Sequence, residues 1–210
     1  MSKPGFRKGR PGGVPGGNTS DAFVSGALFS QAQIMQLMKN EFARSRRHGI
    51  PLGCLLLQVD RLSQLVDLYG AGLRQSVRAA VADMVRDRTR GPDLLGTTTD
   101  DRYLLILPHT DVEKTRLVAE RLRRRFAELE IAVDGRELAL TLSIGIAASA
   151  DGDTMFFDTL VSQAESALEF AGRRGGNQVI SFGETRLRGD EPDDSEHGSV
   201  RPGDVGGGAR

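Results

Sequence analysis

The chain has 210 residues with 28 Lys and Arg against 28 Asp and Glu, so its formal net charge is zero. This balance argues against a protein that binds nucleic acid or an anionic membrane mainly through its overall field. No run of 18 apolar residues is present, so we expect no transmembrane helix and no membrane partner. The N-terminal residues show no apolar signal segment, and the single cysteine, Cys54, cannot form an internal disulfide. We therefore expect a cytoplasmic protein.

Glycine, proline and charge are unevenly distributed and divide the chain into three parts. Residues 1–20 hold six glycines, three prolines and four positive charges. Residues 184–210 hold six glycines and two prolines around the acidic run 190–196. Such segments bury too little apolar surface to offset chain entropy, which predicts two disordered tails. Residues 21–183 remain as one domain, long enough to bury a hydrophobic core.

Hydrophobic periodicity within that domain predicts helices alternating with short strands. The predicted helices fall at 28–48, 61–69, 72–88, 111–128 and 156–172. The predicted strands fall at 51–59, on either side of a polar turn at 97–102, at 131–133, at 137–148 and at 178–182. Asp134-Gly135 is a good two-residue turn, so 131–133 and 137–148 are expected to form a hairpin. The order predicts an α/β (α+β) sandwich of the split-βαβ plan, with a mostly antiparallel central sheet flanked by helices.

Several segments, read in order, resemble the GGDEF domain of diguanylate cyclases over about residues 25–182. Residues 57–70 are similar to the family's D-x-D-x-F-K-x-x-N-D-x-Y-G segment, and residues 141–146 match its T-x-S-x-G strand. Further similar segments are residues 46–52, 103–108, 164–168 and 175–179. The resemblance implies the palm fold of nucleotidyl cyclases. It also implies a chemistry in which Mg²⁺ helps to join two GTP molecules into cyclic di-GMP.

The residues that the resemblance implies for catalysis are largely replaced. Gln58 aligns with the first metal-binding Asp, and Val66 and Gln75 align with the guanine-reading Asn and Asp. Gly172 and Gly176 align with the phosphate-binding Lys and Arg. The signature G-G-D-E-F aligns with Thr99, Asp100, Asp101, Arg102 and Tyr103. We therefore expect a degenerate active site with no catalytic residues, no metal site and no Mg²⁺ cofactor, since losing one such contact already costs about a few kcal/mol of transition-state stabilisation.

A second motif is retained just before the degenerate signature. The residues from Arg90 to Asp93 read R-G-P-D, in the register of the RxxD motif at the family's product-binding inhibitory site. Arg121 stands in an A-E-R-x-R context on the next predicted helix, where a further Arg usually completes that site. A guanidinium fork can pair with guanine or phosphate, and a carboxylate can accept from guanine N–H groups. The resemblance thus implies a cyclic di-GMP site at Arg90, Asp93 and Arg121.

These observations predict a catalytically inactive GGDEF-type protein that acts as a cyclic di-GMP receptor and signals through an unidentified protein partner. A stacked pair of the nucleotides can bridge a second copy of the chain, so a ligand-bridged homodimer is a further candidate assembly. One alternative is a nucleotide-independent protein-interaction module in which the RxxD site is a relic. Two weaker alternatives are a residual cyclase that relies on Asp60 and Asp101, and a regulator whose basic N-terminal residues contact DNA. We do not expect nucleic acid to be a partner.

Overall fold

The computed structural model describes residues 28–133, 135–149 and 156–188. The helices in these ranges are α1 Gln31–His48, α2 Leu62–Tyr69, α3 Ala71–Arg88, α4 Val112–Ala127, α5 Phe157–Arg173 and α6 Phe182–Arg188. The strands are β1 Leu52–Val59, β2 Leu94–Thr97, β3 Tyr103–Pro108, β4 Ile131–Val133, β5 Arg136–Leu138, β6 Leu142–Ser149 and β7 Val179–Ser181. The tail predicted at residues 1–20 and most of the one predicted at 184–210 lie outside the described residues. No helix in the described ranges is both long and apolar enough to cross a membrane.

Five strands form a central sheet in the order β2-β3-β1-β6-β7. β1 lies in the middle and pairs antiparallel with both β3 and β6, and β2 pairs antiparallel with β3. Only the short β7 runs parallel to its neighbour, β6. The predicted α/β fold with a mostly antiparallel sheet is therefore confirmed.

The helices cover both faces of this sheet and create two apolar layers. On one face, α3 and α4 pack on Leu55 and Leu57 of β1. On the other face, α1 and α5 pack on Cys54 and Leu56 of the same strand. Because successive residues of a strand point to opposite faces, a strand buried on both sides must be apolar throughout, which is what the continuous run indicated. Burial raises the pKa of the Cys54 thiol to about 12, so this cysteine is an inert core residue.

Two predicted boundaries were wrong. Residues 137–148 do not form one strand, because β5 pairs with β4 in a separate hairpin and β6 joins the central sheet. The ordered domain also extends past residue 183, because α6 continues to Arg188. The described helix thus covers the first five residues of the tail predicted at 184–210.

Glycines in the strands let the helices approach the sheet closely. A Cβ on Gly145 of β6 would lie 2.1 Å from the carbonyl oxygen of Ala164 and 2.3 Å from the amide nitrogen of Leu168. Both atoms belong to the backbone of α5, so they cannot rotate away as a side chain would. Gly145, the glycine of the T-x-S-x-G segment, is thus required for α5 to pack on the sheet.

Replacing Gly145→Ala should lower the free energy of unfolding by about 3 kcal/mol or more, at the upper end of overpacking penalties. Gly172→Ala is the matched control, because a Cβ there meets nothing within 4 Å and the residue lies within α5. In a helix this control should be neutral or stabilise by up to ~1 kcal/mol. Urea unfolding of both variants checks the pair; equal stabilities would contradict the close approach of α5 to β6.

Helix α6 is fixed to the domain through Glu184. Its Oε2 accepts hydrogen bonds from the Ser181 amide and the Ser181 hydroxyl, each at 2.8 Å, and from Arg116 Nη1 of α4 at 2.5 Å. The Ser181 hydroxyl oxygen in turn accepts from the Glu184 amide, which forms a capping box at the start of the helix. Partial burial opposes ionisation of Glu184, but these hydrogen bonds outweigh it and lower its pKa from 4.5 to about 2.

A carboxyl group whose pKa is depressed on folding stabilises the folded state above its unfolded pKa. That contribution is lost as the pH falls through the folded pKa. The difference in unfolding free energy between wild type and Glu184→Gln should therefore be full above pH 4.5 and shrink as the pH falls towards 2. Denaturant unfolding of both proteins across this range measures the difference. A difference that stays constant with pH would show that the ionised carboxylate is not what holds α6.

Candidate functional site

The signature turn joins β2 to β3 in a conformation that normally favours glycine. The Thr98 amide donates to the Arg102 carbonyl at 2.9 Å, and the Arg102 amide donates to the Thr99 carbonyl at 3.2 Å. Asp100 and Asp101 both have positive φ, 59° and 56°. Asp tolerates this left-handed region better than most residues with a Cβ, so two consecutive Asp residues can form the turn. Thr99 and Asp100 are exposed on its surface.

The next two turn residues are held by internal ion pairs. Asp101 Oδ2 accepts from Arg74 Nε of α3 at 2.8 Å. Arg102, which stands in place of the signature Glu, donates from Nη1 to Glu165 Oε1 of α5 at 2.7 Å. Arg102 is therefore paired within the chain, and two of the three charged residues of the turn, Asp101 and Arg102, have a protein partner.

Asp60, directly after β1, accepts three hydrogen bonds from the chain itself. The hydroxyls of Thr141 and Ser143 donate to its two carboxylate oxygens, each at 2.6 Å. The Asn177 amide donates to Oδ2 at 2.9 Å. These three donors use most of the about four acceptor positions of a carboxylate. Thr141 and Ser143 are the Thr and Ser of the T-x-S-x-G segment, so that segment holds Asp60 in place.

A cleft of about 270 Å³ lies beside Asp60, with Gln58 and the two glycines at 172 and 176 in its walls. A Cβ on Gly176 would lie 2.7 Å from Asp60 Oδ1, and its φ is +75°. Neither glycine offers a cation to this cleft. The other two replaced positions lie on the helices of the opposite face, where Val66 is half-buried on α2 and Gln75 is exposed on α3.

The residues at this cleft do not fit a Mg²⁺ site. Mg²⁺ prefers carboxylate oxygens that can face the ion. Gln58 is a neutral amide, and the Asp60 oxygens face three donors. In the adjoining cleft of about 180 Å³, Asp101 faces the Arg74 guanidinium and Asp100 is a single exposed carboxylate. Among residues 28–133, 135–149 and 156–188, no group of three or more His, Cys, Asp and Glu side chains is placed to hold a metal ion.

The three residues of the predicted RxxD site come together between α3, β2 and α4. Arg90 and Asp93 form the short connection from α3 to β2, and Arg121 projects from α4 to donate from Nη2 to the Arg88 carbonyl at 2.6 Å. Both Arg90 and Arg121 are exposed, whereas Asp93 is only 5% exposed. Both arginine charges act on the Asp93 carboxylate. The sequence prediction that these residues form one cluster therefore agrees with their positions.

Asp93 also has a role inside the chain. Its Oδ2 accepts from the Arg90 amide at 2.7 Å, and its own amide donates to the Arg90 carbonyl at 3.0 Å. Burial raises the pKa of the Asp93 carboxyl, opposed by the Arg90 amide and by the charges of Arg90 and Arg121. The carboxylate thus closes the turn with one oxygen and keeps acceptor capacity on the other.

Sequence reasoning missed the residues that bind the charged groups of the candidate site. Asp60, Asp101 and Arg102 are bound by Thr141, Ser143, Arg74 and Glu165. For Thr141 and Ser143 a signal was available, because residues two apart on β6 share one face and β6 is the neighbour of β1. Nothing in the sequence pairs Arg102 with Glu165, which lies 63 positions away.

The sequence of this domain is similar to a known family and to its members. The family model described as "Diguanylate cyclase, GGDEF domain" matches residues 26–178. The diguanylate cyclase DosC of Escherichia coli K12 is 30% identical over 153 residues, which are 72% of this chain and 33% of DosC. The chain thus spans about a third of the length of this relative.

Two solved structures have similar folds. The GGDEF domain of DgcB from Caulobacter crescentus, in complex with c-di-GMP, has a TM-score of 0.69 at 18% identity, covering 74% of this chain and 92% of that one. The diguanylate cyclase SiaD from Pseudomonas aeruginosa, in complex with its activator SiaC, has a TM-score of 0.68 at 28% identity, covering 73% and 58%. Since the family match spans most of the described domain, this chain belongs to the GGDEF-domain family of diguanylate cyclases.

Proposed function

We propose that this protein is a catalytically inactive GGDEF-domain receptor for cyclic di-GMP that acts in the cytoplasm and signals through a protein partner. The observation that carries the proposal is the cluster of Arg90, Asp93 and Arg121. Two exposed guanidinium groups there flank a carboxylate that lies 5% exposed at the base of the turn. This is the donor and acceptor set that a guanine base with a nearby phosphate requires.

The hydrogen-bonding capacity of the cluster supports this assignment. A guanidinium has five N–H donors. Arg121 uses one of its donors on the Arg88 carbonyl, which holds the side chain in place and leaves its remaining donors available. The Arg90 side chain makes no hydrogen bond or ion pair within the described part of the chain. Because the Arg121 guanidinium is already held in place, it loses less entropy when it binds a guanine edge or a phosphate.

Loss of cyclase activity is the second part of the proposal. The side chains that remain at the signature turn and after β1 are engaged by Arg74, Thr141 and Ser143. Asp60 and Asp101 are thus directed at protein groups rather than at a divalent cation, and without such a cation the phosphate charge of two GTP molecules lacks a counter-ion in the transition state. The protein is thus proposed to have no catalytic residues and no Mg²⁺ cofactor.

The relatives support the kinds of partner that we propose. The DgcB domain was solved in complex with c-di-GMP, and SiaD was solved in complex with the protein SiaC. Proteins that contain this fold are thus found in complex with a nucleotide and with a protein. A homodimer bridged by a stacked nucleotide pair is a second assembly compatible with the exposed arginines.

One observation favours an alternative, a protein-interaction module that needs no nucleotide. Asp93 makes two hydrogen bonds with the backbone of Arg90, so its side chain has a structural use even without a ligand. In that case the motif is kept because it closes the turn between α3 and β2. The two functions predict different results for one conservative substitution.

Asp93→Asn distinguishes two roles of Asp93, a contact with cyclic di-GMP and closure of the turn between α3 and β2. The amide oxygen of Asn can still accept from the Arg90 amide, whereas its charge and one acceptor oxygen are lost. We expect cyclic di-GMP affinity to fall by about 10- to 100-fold, as for loss of a good base contact, while the free energy of unfolding changes by less than ~1 kcal/mol. Isothermal titration and urea unfolding measure the two quantities.

Arg90→Ala and Arg121→Ala should each weaken binding by a similar factor, because each removes one guanidinium fork. Arg47→Ala is the matched control, since Arg47 is exposed on α1 at the opposite face of the sheet. The receptor proposal fails if wild type binds no cyclic di-GMP, or if the Arg90 variant binds as well as the control. A protein partner that is captured equally by wild type and both site variants, with or without nucleotide, supports the alternative.

Asp60→Asn tests whether Asp60 is a structural acceptor. It places an N–H donor among groups that also donate, so the free energy of unfolding should fall by about 1–3 kcal/mol. Asp67→Asn, exposed on α2, is the control and should have little effect. Mg²⁺ should not raise the melting temperature of wild type, and GTP with Mg²⁺ should give no cyclic di-GMP above a blank. Product formation that Asp60→Asn abolishes would overturn the proposed inactivity.

A further inference from the structure

An arginine-rich surface surrounds the proposed nucleotide site. We call it the arginine patch and define it as Arg88, Arg90, Arg121 and Arg124. All four side chains are exposed, and none forms an ion pair with a carboxylate of the described residues. Arg121 and Arg124 lie three residues apart on one face of α4, and Arg121 contacts the end of α3 through the Arg88 carbonyl. The neighbouring Asp87 and the buried Asp93 offset only part of this charge.

A segment of opposite charge follows helix α6 in the sequence. Residues 190–196 read DEPDDSE, which is five carboxylates with no basic residue. This segment lies outside the described residues and begins two positions after Arg188, where α6 ends. Only Gly189 separates this acidic segment from α6.

Helix α6, which the acidic segment follows, contacts α4, the helix that carries Arg121 and Arg124. Glu184 of α6 is paired with Arg116 of α4 at 2.5 Å. Arg121 is five residues further along α4, about 7.5 Å along the axis and about 140° around it, so the path over a helix of about 10 Å diameter is roughly 14 Å. An extended chain spans about 3.3–3.6 Å per residue, so seven residues can cover roughly 23–25 Å. The length of the acidic segment is therefore compatible with a path around α4 to the patch.

We propose that residues 190–196 dock on the arginine patch and there compete with cyclic di-GMP for Arg90 and Arg121. The competition rests on the proposed function, whereas the docking does not. Carboxylates bind guanidinium forks in the same bidentate manner as phosphates do. A tethered segment acts at an effective concentration of the order of millimolar, so weak exposed pairs suffice for frequent occupancy.

This arrangement gives the receptor an internal antagonist. If the segment occupies the patch for about nine-tenths of the time, the apparent dissociation constant for the nucleotide rises ~10-fold. Nucleotide binding then releases residues 190–196, and the released acidic segment is available to a basic surface on a protein partner. Ligand occupancy is converted into a change of exposed charge without a rearrangement of the core.

The first test compares the full-length chain with a variant in which the segment is neutralised. The substitutions are Asp190→Asn, Glu191→Gln, Asp193→Asn, Asp194→Asn and Glu196→Gln. The variant should bind cyclic di-GMP about 10-fold more tightly at low salt. The difference should vanish at about 0.5 M salt, where the Debye length is only ~4 Å.

A matched control changes the net charge by the same five units elsewhere. Its substitutions, all at acidic residues outside the segment, are Asp67→Asn, Glu130→Gln, Glu137→Gln, Glu169→Gln and Asp204→Asn. This control should bind cyclic di-GMP as wild type does. A gain in affinity equal to that of the segment variant would attribute the effect to overall charge and overturn the proposal.

The second test detects docking without any nucleotide. Ser195→Cys introduces a thiol for a nitroxide spin label, while Cys54 stays unlabelled because it is fully buried. Amide NMR signals around Arg90 and Arg121 should broaden, and broadening should disappear in Arg121→Ala combined with Arg124→Ala. The Arg47→Ala background should keep it. Absence of broadening with normal nucleotide binding would overturn the docking alone, whereas broadening in a protein that binds no nucleotide would overturn the receptor function alone.

Discussion

The arrangement of this domain depends on the hydrogen bonds that the Asp60 carboxylate accepts. Asp60 follows β1, the central strand, and accepts hydrogen bonds from Thr141 and Ser143 at the start of β6 and from the Asn177 amide before β7. Three segments far apart in sequence are thereby joined at one end of the sheet. A side chain on Gly176 would collide with the same carboxylate, so the loop before β7 is also shaped around it. A negative charge that a nucleotidyl cyclase could direct at a metal is here directed at the protein.

The same pairing within the chain extends to the signature turn. Asp101 pairs with Arg74, and Arg102 pairs with Glu165, so two of the three charged residues of the turn are balanced by another element of the chain. Exposed pairs of this kind contribute little to stability, but they leave only Asp100 as a carboxylate of the turn without an ion pair among the described residues. On the α3–α4 side the situation differs, because Arg90 and Arg121 have no carboxylate partner among the described residues apart from the buried Asp93. The charged groups of the signature turn are thus largely paired within the chain, whereas the α3–α4 side presents exposed arginines.

The sequence predicted those parts of the fold that local patterns determine. The continuous apolar run of β1 and the helical spacing of Leu73, Val77 and Val81 each reflect burial that the structure has. The break between β5 and β6 was missed because both segments alternate like strands, and only long-range pairing with β1 separates them. Helix α6 was missed because its residues are mostly polar, and Arg116 of another helix holds it. At the site, the positions of the sequence motifs predicted that Arg90, Asp93 and Arg121 lie together. The partners of Asp60 and Arg102 depend on long-range contacts that no local pattern encodes.

The position of Asp93 links the turn between α3 and β2 to the proposed receptor site. Its carboxylate is buried because it closes the turn from α3 to β2, and burial raises its pKa and so disfavours its charge. The nearby charges of Arg90 and Arg121 oppose that effect, so the two exposed arginines favour the charged form of the buried carboxyl. Removing either arginine would then weaken this preference and also remove a donor. The three residues therefore depend on one another physically, and the turn that Asp93 closes holds together the residues of the proposed nucleotide site.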